Sequence, residues 1–133
     1  MFFIKNKIVD IILYSILLLI IDAVFLYTFM IKKYSKMVEN IQGSPIKPRI
    51  TFIILSYLLM VVGLHVFVLP KIEKIEHCFY GFLFGLIVYG VYDFVCASIF
   101  EKWDLKIMVV DVFWGATLYT IVSLVYYLIK VKK

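Results

Sequence analysis

Four long apolar runs constrain this chain more than any other feature of it. A hydrocarbon core about 30 Å thick takes about 20 helical residues to cross. Four segments reach that length: about Ile8 to Ile31, Ile50 to Leu69, Cys78 to Phe100, and about Ile107 to Ile129. Together they occupy most of the 133 residues. Composition agrees, with 65% hydrophobic and 17% charged residues, where a soluble domain has about half and about 25%. A body of this size cannot bury so much apolar surface within itself. The runs are too long for barrel strands and do not alternate polar with apolar residues. The expected fold is therefore all-α: one domain over residues 1–133, a compact bundle of four transmembrane helices joined by short loops. A disordered chain, a disulfide scaffold and an ordinary soluble enzyme are excluded.

Lys5 and Lys7 precede the first run as they would in a signal peptide. The run is longer than a signal core, carries Asp22 deep inside, and is followed by no small-residue cleavage pattern, so it is read as a retained span. After it, Tyr34, Met37, Val38 and Ile41 fall at i, i+3, i+4 and i+7, with Lys32, Lys33, Lys36, Glu39 and Asn40 between them. That pattern fits a short amphipathic helix on the membrane surface, and equally a two-turn extension of the first span. Gly43, Ser44 and Pro45 then stop it.

Four spans put both termini on one side of the membrane, but charge does not say which side. Lys5, Lys7, Lys71, Lys74, Lys130, Lys132 and Lys133 would share one side, and Lys32, Lys33, Lys36, Lys47, Arg49, Lys102 and Lys106 the other, seven against seven. The positive-inside rule needs a bias, and there is none. The net charge of +5 lies beside apolar runs, so the expected partner is the lipid bilayer with its anionic headgroups, not nucleic acid. Cys78 and Cys96 are 18 residues apart on one helix, about 27 Å at helical rise, and cannot bridge. They are read as small buried apolar residues.

The buried carboxylates carry whatever chemistry the chain has. An Asp at a helix centre costs about 2.5–3.5 kcal/mol on insertion scales. Asp22, Asp93 and Asp111 incur that cost in three separate spans. Their depths agree: about 13, 10 and 6 Å below the surface that bears the first and third loops, at 1.5 Å per residue. Intramembrane carboxylates face the bundle interior or a wet cavity, so the three are expected to form a polar cluster in one half of the bilayer. Gly85, Tyr89, Tyr92 and Cys96 lie on a stripe beside Asp93, while Trp114 and Gly115 follow Asp111 within a turn. Tyr hydroxyls and the Trp indole can donate to a carboxylate. Gly81 and Gly85 form a small-xxx-small pair that admits a neighbouring helix closely, and Gly115 is placed to do the same.

Other groups are weaker candidates. His65 lies in the opposite half, with Asp10 as a conceivable partner or the headgroups as its surroundings. His77 sits in a loop. Tyr14, Tyr126, Tyr127 and Trp103 near the span ends read as an interfacial aromatic belt. No zinc-binding spacing, phosphate-cradling loop or Ser/His/Asp set is present in the sequence. No metal or cofactor is expected, and an enzymatic role is not the leading reading.

Tyr92-Asp93-Phe94, then Trp103, then Asp111-Val112-Phe113-Trp114-Gly115 resembles the second half of a family of small four-span membrane proteins, domain of unknown function 2177. Asp22, Tyr34, Tyr57, Gly63, Phe67 and Pro70 fit its first half, and Gly81, Phe84 and Gly85 its third span. Relatives tend to carry a Thr-Asn pair where Val95 and Cys96 stand here. The resemblance implies the fold and a membrane location, and marks Asp22, Asp93, Asp111 and Trp114 for testing.

Three functions follow as expectations. The leading one is binding of a proton, a cation or a small polar group at Asp22, Asp93 and Asp111, in transport. Carboxylates close together in a low dielectric suit reversible protonation. Four short helices leave little room for a pore in one copy, so a homo-oligomer or another membrane protein would be a partner. The alternatives are a lipid-modifying enzyme or accessory factor with an Asp as general acid or base, and a structural or assembly role in which each Asp merely holds helices in register.

Overall fold

In the computed structural model the described backbone covers residues 2–132, with side chains from Lys7 onward. Five α-helices carry it: α1 (Phe2–Phe25), α2 (Ile31–Gln42), α3 (Ile50–Gly63), α4 (Phe79–Ile99) and α5 (Leu105–Tyr126). No strand occurs among the described residues. With short π- and 3-10 turns joined to them, they make four helical stretches long and apolar enough to cross a membrane: Lys7–Gln42, Ile50–Lys71, Ile75–Ile99 and Leu105–Val131. These overlap the four runs expected from the sequence. The largest departure is the first, which continues eleven residues past Ile31 (42 − 31).

Hydrogen bonds fix how the helices run. Asp22 of α1 meets Tyr57 of α3, while Ser15, one step back, meets His65, one step forward. The second stretch therefore runs opposite to the first. The fourth does too, because Trp114 meets Asp22 and Lys130 meets Asp10. Short connections force this up-and-down order, as in other bundles.

The tightest seam lies between α4 and α5, and glycine makes it. A Cβ on Gly85 would run into the carbonyl of Gly115, and one on Gly81 into Ser123 and the Tyr119 carbonyl. A Cβ on Gly115 would strike the Tyr89 ring. The three glycines singled out in the sequence thus serve one interface. Around it Tyr14, Leu18, Leu64, Val68, Leu118, Tyr119 and Val122 are wholly buried. Tyr14 is accordingly not part of an aromatic belt: it is 0% exposed and packs edge-on against Tyr126, 5.1 Å between centroids.

Between α1 and α2 the helix does not break. It passes through a π-turn, Leu26–Met30, and continues. The amphipathic stripe of α2 faces protein: Met37 is buried with Met30, Trp103 and Ile107, and Tyr34 and Ile41 pack on the same cluster. The extension thus caps one end of the bundle. Gly43, at φ 73°, ends it in the left-handed conformation, its N–H bonding the Glu39 carbonyl at 2.8 Å, a glycine-favouring helix stop. Asp104 starts α5 by accepting from the Lys106 and Ile107 N–H groups at 2.8 and 3.2 Å, a side-chain N-cap.

Candidate functional site

The helical register of α1 turns Asp22 inward, and each of the other three membrane-crossing stretches sends one donor to it. Tyr89 of α4 and Trp114 of α5 donate to Oδ1 at 3.0 and 2.9 Å. Tyr57 of α3 donates to Oδ2 at 3.0 Å. Phe25 stacks on the Trp114 indole, 3.8 Å between centroids, and so aims its N–H. No Lys or Arg pairs with this carboxylate among the described residues. Hydrogen bonds to a charged group contribute about 1.5–3 kcal/mol each, enough together to offset the insertion cost of the Asp.

Asp93 and Asp111 are arranged differently. Both are buried, at 0% and 8% exposure, and their carboxyl groups lie within hydrogen-bonding reach of one another. Trp103 donates to Asp93 Oδ1 at 3.3 Å, and Tyr34 to Asp111 Oδ2 at 2.9 Å. Asp93 Oδ2 has no donor among the described residues. Two acceptor-only groups so close together repel unless a proton lies between them.

A cavity of about 620 Å³ joins Asp22 to Asp111. Tyr89, Tyr92 and Trp114 line it, as do Tyr34, Tyr57 and Phe84. Asp93 does not line it; it stands behind Asp111. Tyr92 contributes wall, and no hydrogen bond from it to a carboxylate occurs among the described residues. Gly81, Gly85 and Gly115 support the site through the α4–α5 seam and are not part of its surface.

Those residues lie in one half of the bundle, and the family comparison covers both halves. A model of the DUF2177 family, described as predicted membrane protein, matches residues 7–128. The chain belongs to that family. Comparison with curated proteins and with solved structures finds no match. Membership places this DUF2177 protein in a lipid bilayer.

Tyr34, Tyr57 and Trp103 were not among the residues expected to build the cluster. Trp103 reads from sequence as a belt residue; in this DUF2177 protein it is 7% exposed and turned inward against Asp93. Only the resemblance pointed at Tyr34 and Tyr57, since no periodicity links either to an Asp. In the other half, Asp10 pairs with Lys130 at 2.6 Å and not with His65. His65 contacts the Ser15 hydroxyl at 3.1 Å. Ser15 thus lies on the same side of α1 as Asp22, toward the second stretch, but too far along the helix to join the carboxylates.

A second hollow of about 400 Å³ sits beside α2 and the start of α5, rimmed by Lys33, Lys36, Lys102 and Lys106 over an apolar floor that includes Met30, Met37 and Ile107. Four ammonium groups at the end of a membrane bundle suit the headgroup layer. They do not reach the carboxylates.

Proposed function

We propose that this protein binds a proton, a small cation or the charged end of a polar group at Asp22, Asp93 and Asp111, as a step in transport. The observation that carries the reading is the unequal satisfaction of the carboxylates. Asp22 has three neutral donors and, among the described residues, no cation. A charge so held in a low dielectric attracts an opposite one strongly. Asp93 and Asp111 face one another with an oxygen unmatched. One proton between them resolves the repulsion, and such pairs take up and release it as a unit. The cluster therefore offers a fixed anion and an exchangeable proton beside one cavity. Intramembrane ionisable groups are functional by default, because their cost is hard to justify by packing alone.

Both chain ends belong to the same side of the membrane in this reading. Four short helices leave little room for a pore in one copy, so transport calls for a second copy of the chain or another membrane protein. Asn at 22, 93 and 111 keeps size and most hydrogen bonding while removing the titratable charge. Proton and cation flux in proteoliposomes, with the wild type set against the triple substitution, tests the proposal. Flux should vanish while circular dichroism and gel filtration stay unchanged; equal flux in both proteins would dismiss it in favour of a role in holding the helices together.

A further inference from the structure

We infer that the cavity takes an amphipathic organic cation, an ammonium or phosphonium centre on an apolar body, admitted from the bilayer between α3 and α4. This rests on the cation-binding reading above and narrows it. The cavity's first mark is its size. About 620 Å³ is far more than a proton or a bare inorganic ion fills, and lies within the roughly 300–1,000 Å³ of small-molecule pockets.

Its second mark is the wall. Tyr57, Tyr89, Tyr92, Trp114 and Phe84 present rings around the two lining carboxylates. Aromatic faces attract a cation, most strongly where water is excluded. The third is the ligand set. Among the described residues no three His, Cys, Asp or Glu side chains converge closely enough to hold a metal ion, whereas a hard cation such as calcium needs about six to eight oxygens. A bulky organic cation needs no such cage, because its charge is diffuse and its body pays little to leave water.

Charge supplies the fourth. Asp22 and Asp111 line the cavity with no Lys or Arg paired to either among the described residues. Behind them Asp93, wholly buried and close to Asp111, keeps one oxygen without a donor among the described residues. The last is access. The first half of α3 buries no side chain, and Leu59 of α3 and Val88 of α4, 70% and 37% exposed, stand at the rim. A ligand dissolved in lipid reaches that rim without crossing water.

Equilibrium binding of labelled tetraphenylphosphonium to the full chain in detergent tests this. Tetraphenylborate serves as the anion of the same shape, and tetramethylammonium as the cation without an apolar body. Binding should be saturable, unaffected by tetraphenylborate, displaced by tetramethylammonium only at a hundredfold higher concentration, and at least tenfold weaker in Asp22→Asn. Ser56→Trp, which fills the cavity from α3 without replacing a carboxylate, should abolish it in a folded protein, and this variant decides the matter if Asp22→Asn does not fold. The inference is overturned by no saturable binding, by equal competition from tetraphenylborate, or by equal competition from tetramethylammonium. If flux is nonetheless lost in the triple Asn protein, the reading of a proton or small-cation site survives alone; if flux persists, both fall.

Discussion

At one end of the bundle α4 and α5 meet backbone to backbone across Gly81, Gly85 and Gly115; at the other, α3 stands off and a cavity of about 620 Å³ opens beside Asp22 and Asp111. The closed end gains its stability from contact. In lipid there is no hydrophobic force between helices, so close approach and dispersion must hold them. Wholly buried Leu64, Val68, Leu118 and Val122 sit there, the first two in the π-turn that follows α3. The open end holds together by directed hydrogen bonds to a charge, which tolerate space between helices where dispersion does not. A single chain can thus keep a close-packed seam and a hollow site in one small bundle, with α3 anchored at its far end and free of side-chain burial along its first half.

The comparison breaks first at the seam. Gly85→Leu should cost about 3 kcal/mol or more, since overpacking against backbone cannot relax. Gel filtration and thermal unfolding in detergent should show loss of the monodisperse protein. Gly90→Ala is the control on the same helix: nothing lies nearer than 3.6 Å to a Cβ there, so its unfolding midpoint should match the wild type. If both variants behave alike, the seam is not what closes that end.

At the open end, Trp114→Phe keeps the stack on Phe25 but removes one donor from Asp22. A loss of about 1.5–3 kcal/mol is expected for a hydrogen bond to a charged group, read as a lower unfolding midpoint. Tyr57→Phe removes the donor from α3 alone and should cost less, about 1 kcal/mol, because α3 is otherwise loosely held there. Accessibility of a cysteine placed at Ser56 to a lipid-soluble maleimide should rise in that variant as α3 moves outward; no change would mean that the Tyr57 bond does not restrain the helix.

The smallest effect is expected at Asp10 and Lys130. The pair is 28% and 35% exposed, and partly exposed ion pairs contribute about 0–1 kcal/mol. Asp10→Asn should shift the unfolding midpoint slightly, and less so in high salt. A large shift would show that the closed end depends on charge as well as contact.

Much of the fold was legible because lipid leaves few choices. Backbone groups must be satisfied within each segment, so a run such as Ile50 to Leu69 can only be a helix. The depth of Asp22, Asp93 and Asp111 followed from helical rise, and the small residues of α4 from the spacing of Gly81 and Gly85. Less of the site was legible. Asp22 draws its donors from positions 35, 67 and 92 residues away along the chain, and no local pattern encodes such pairs. Trp103 and Tyr14 misled for a common reason: amphipathic aromatics near span ends serve equally as belt and as core, and only neighbouring helices choose between them.

The sequence by itself determined that the chain is helical, lives in a membrane, and carries three acids in one half of it, because hydropathy and rise per residue act locally. Tertiary structure decided which acid each donor serves, that Asp93 and Asp111 face one another, and that the helix after Asp22 continues through a π-turn to roof the cluster with Tyr34. Those outcomes depend on the rotation and separation of packed helices, which a one-dimensional pattern does not contain.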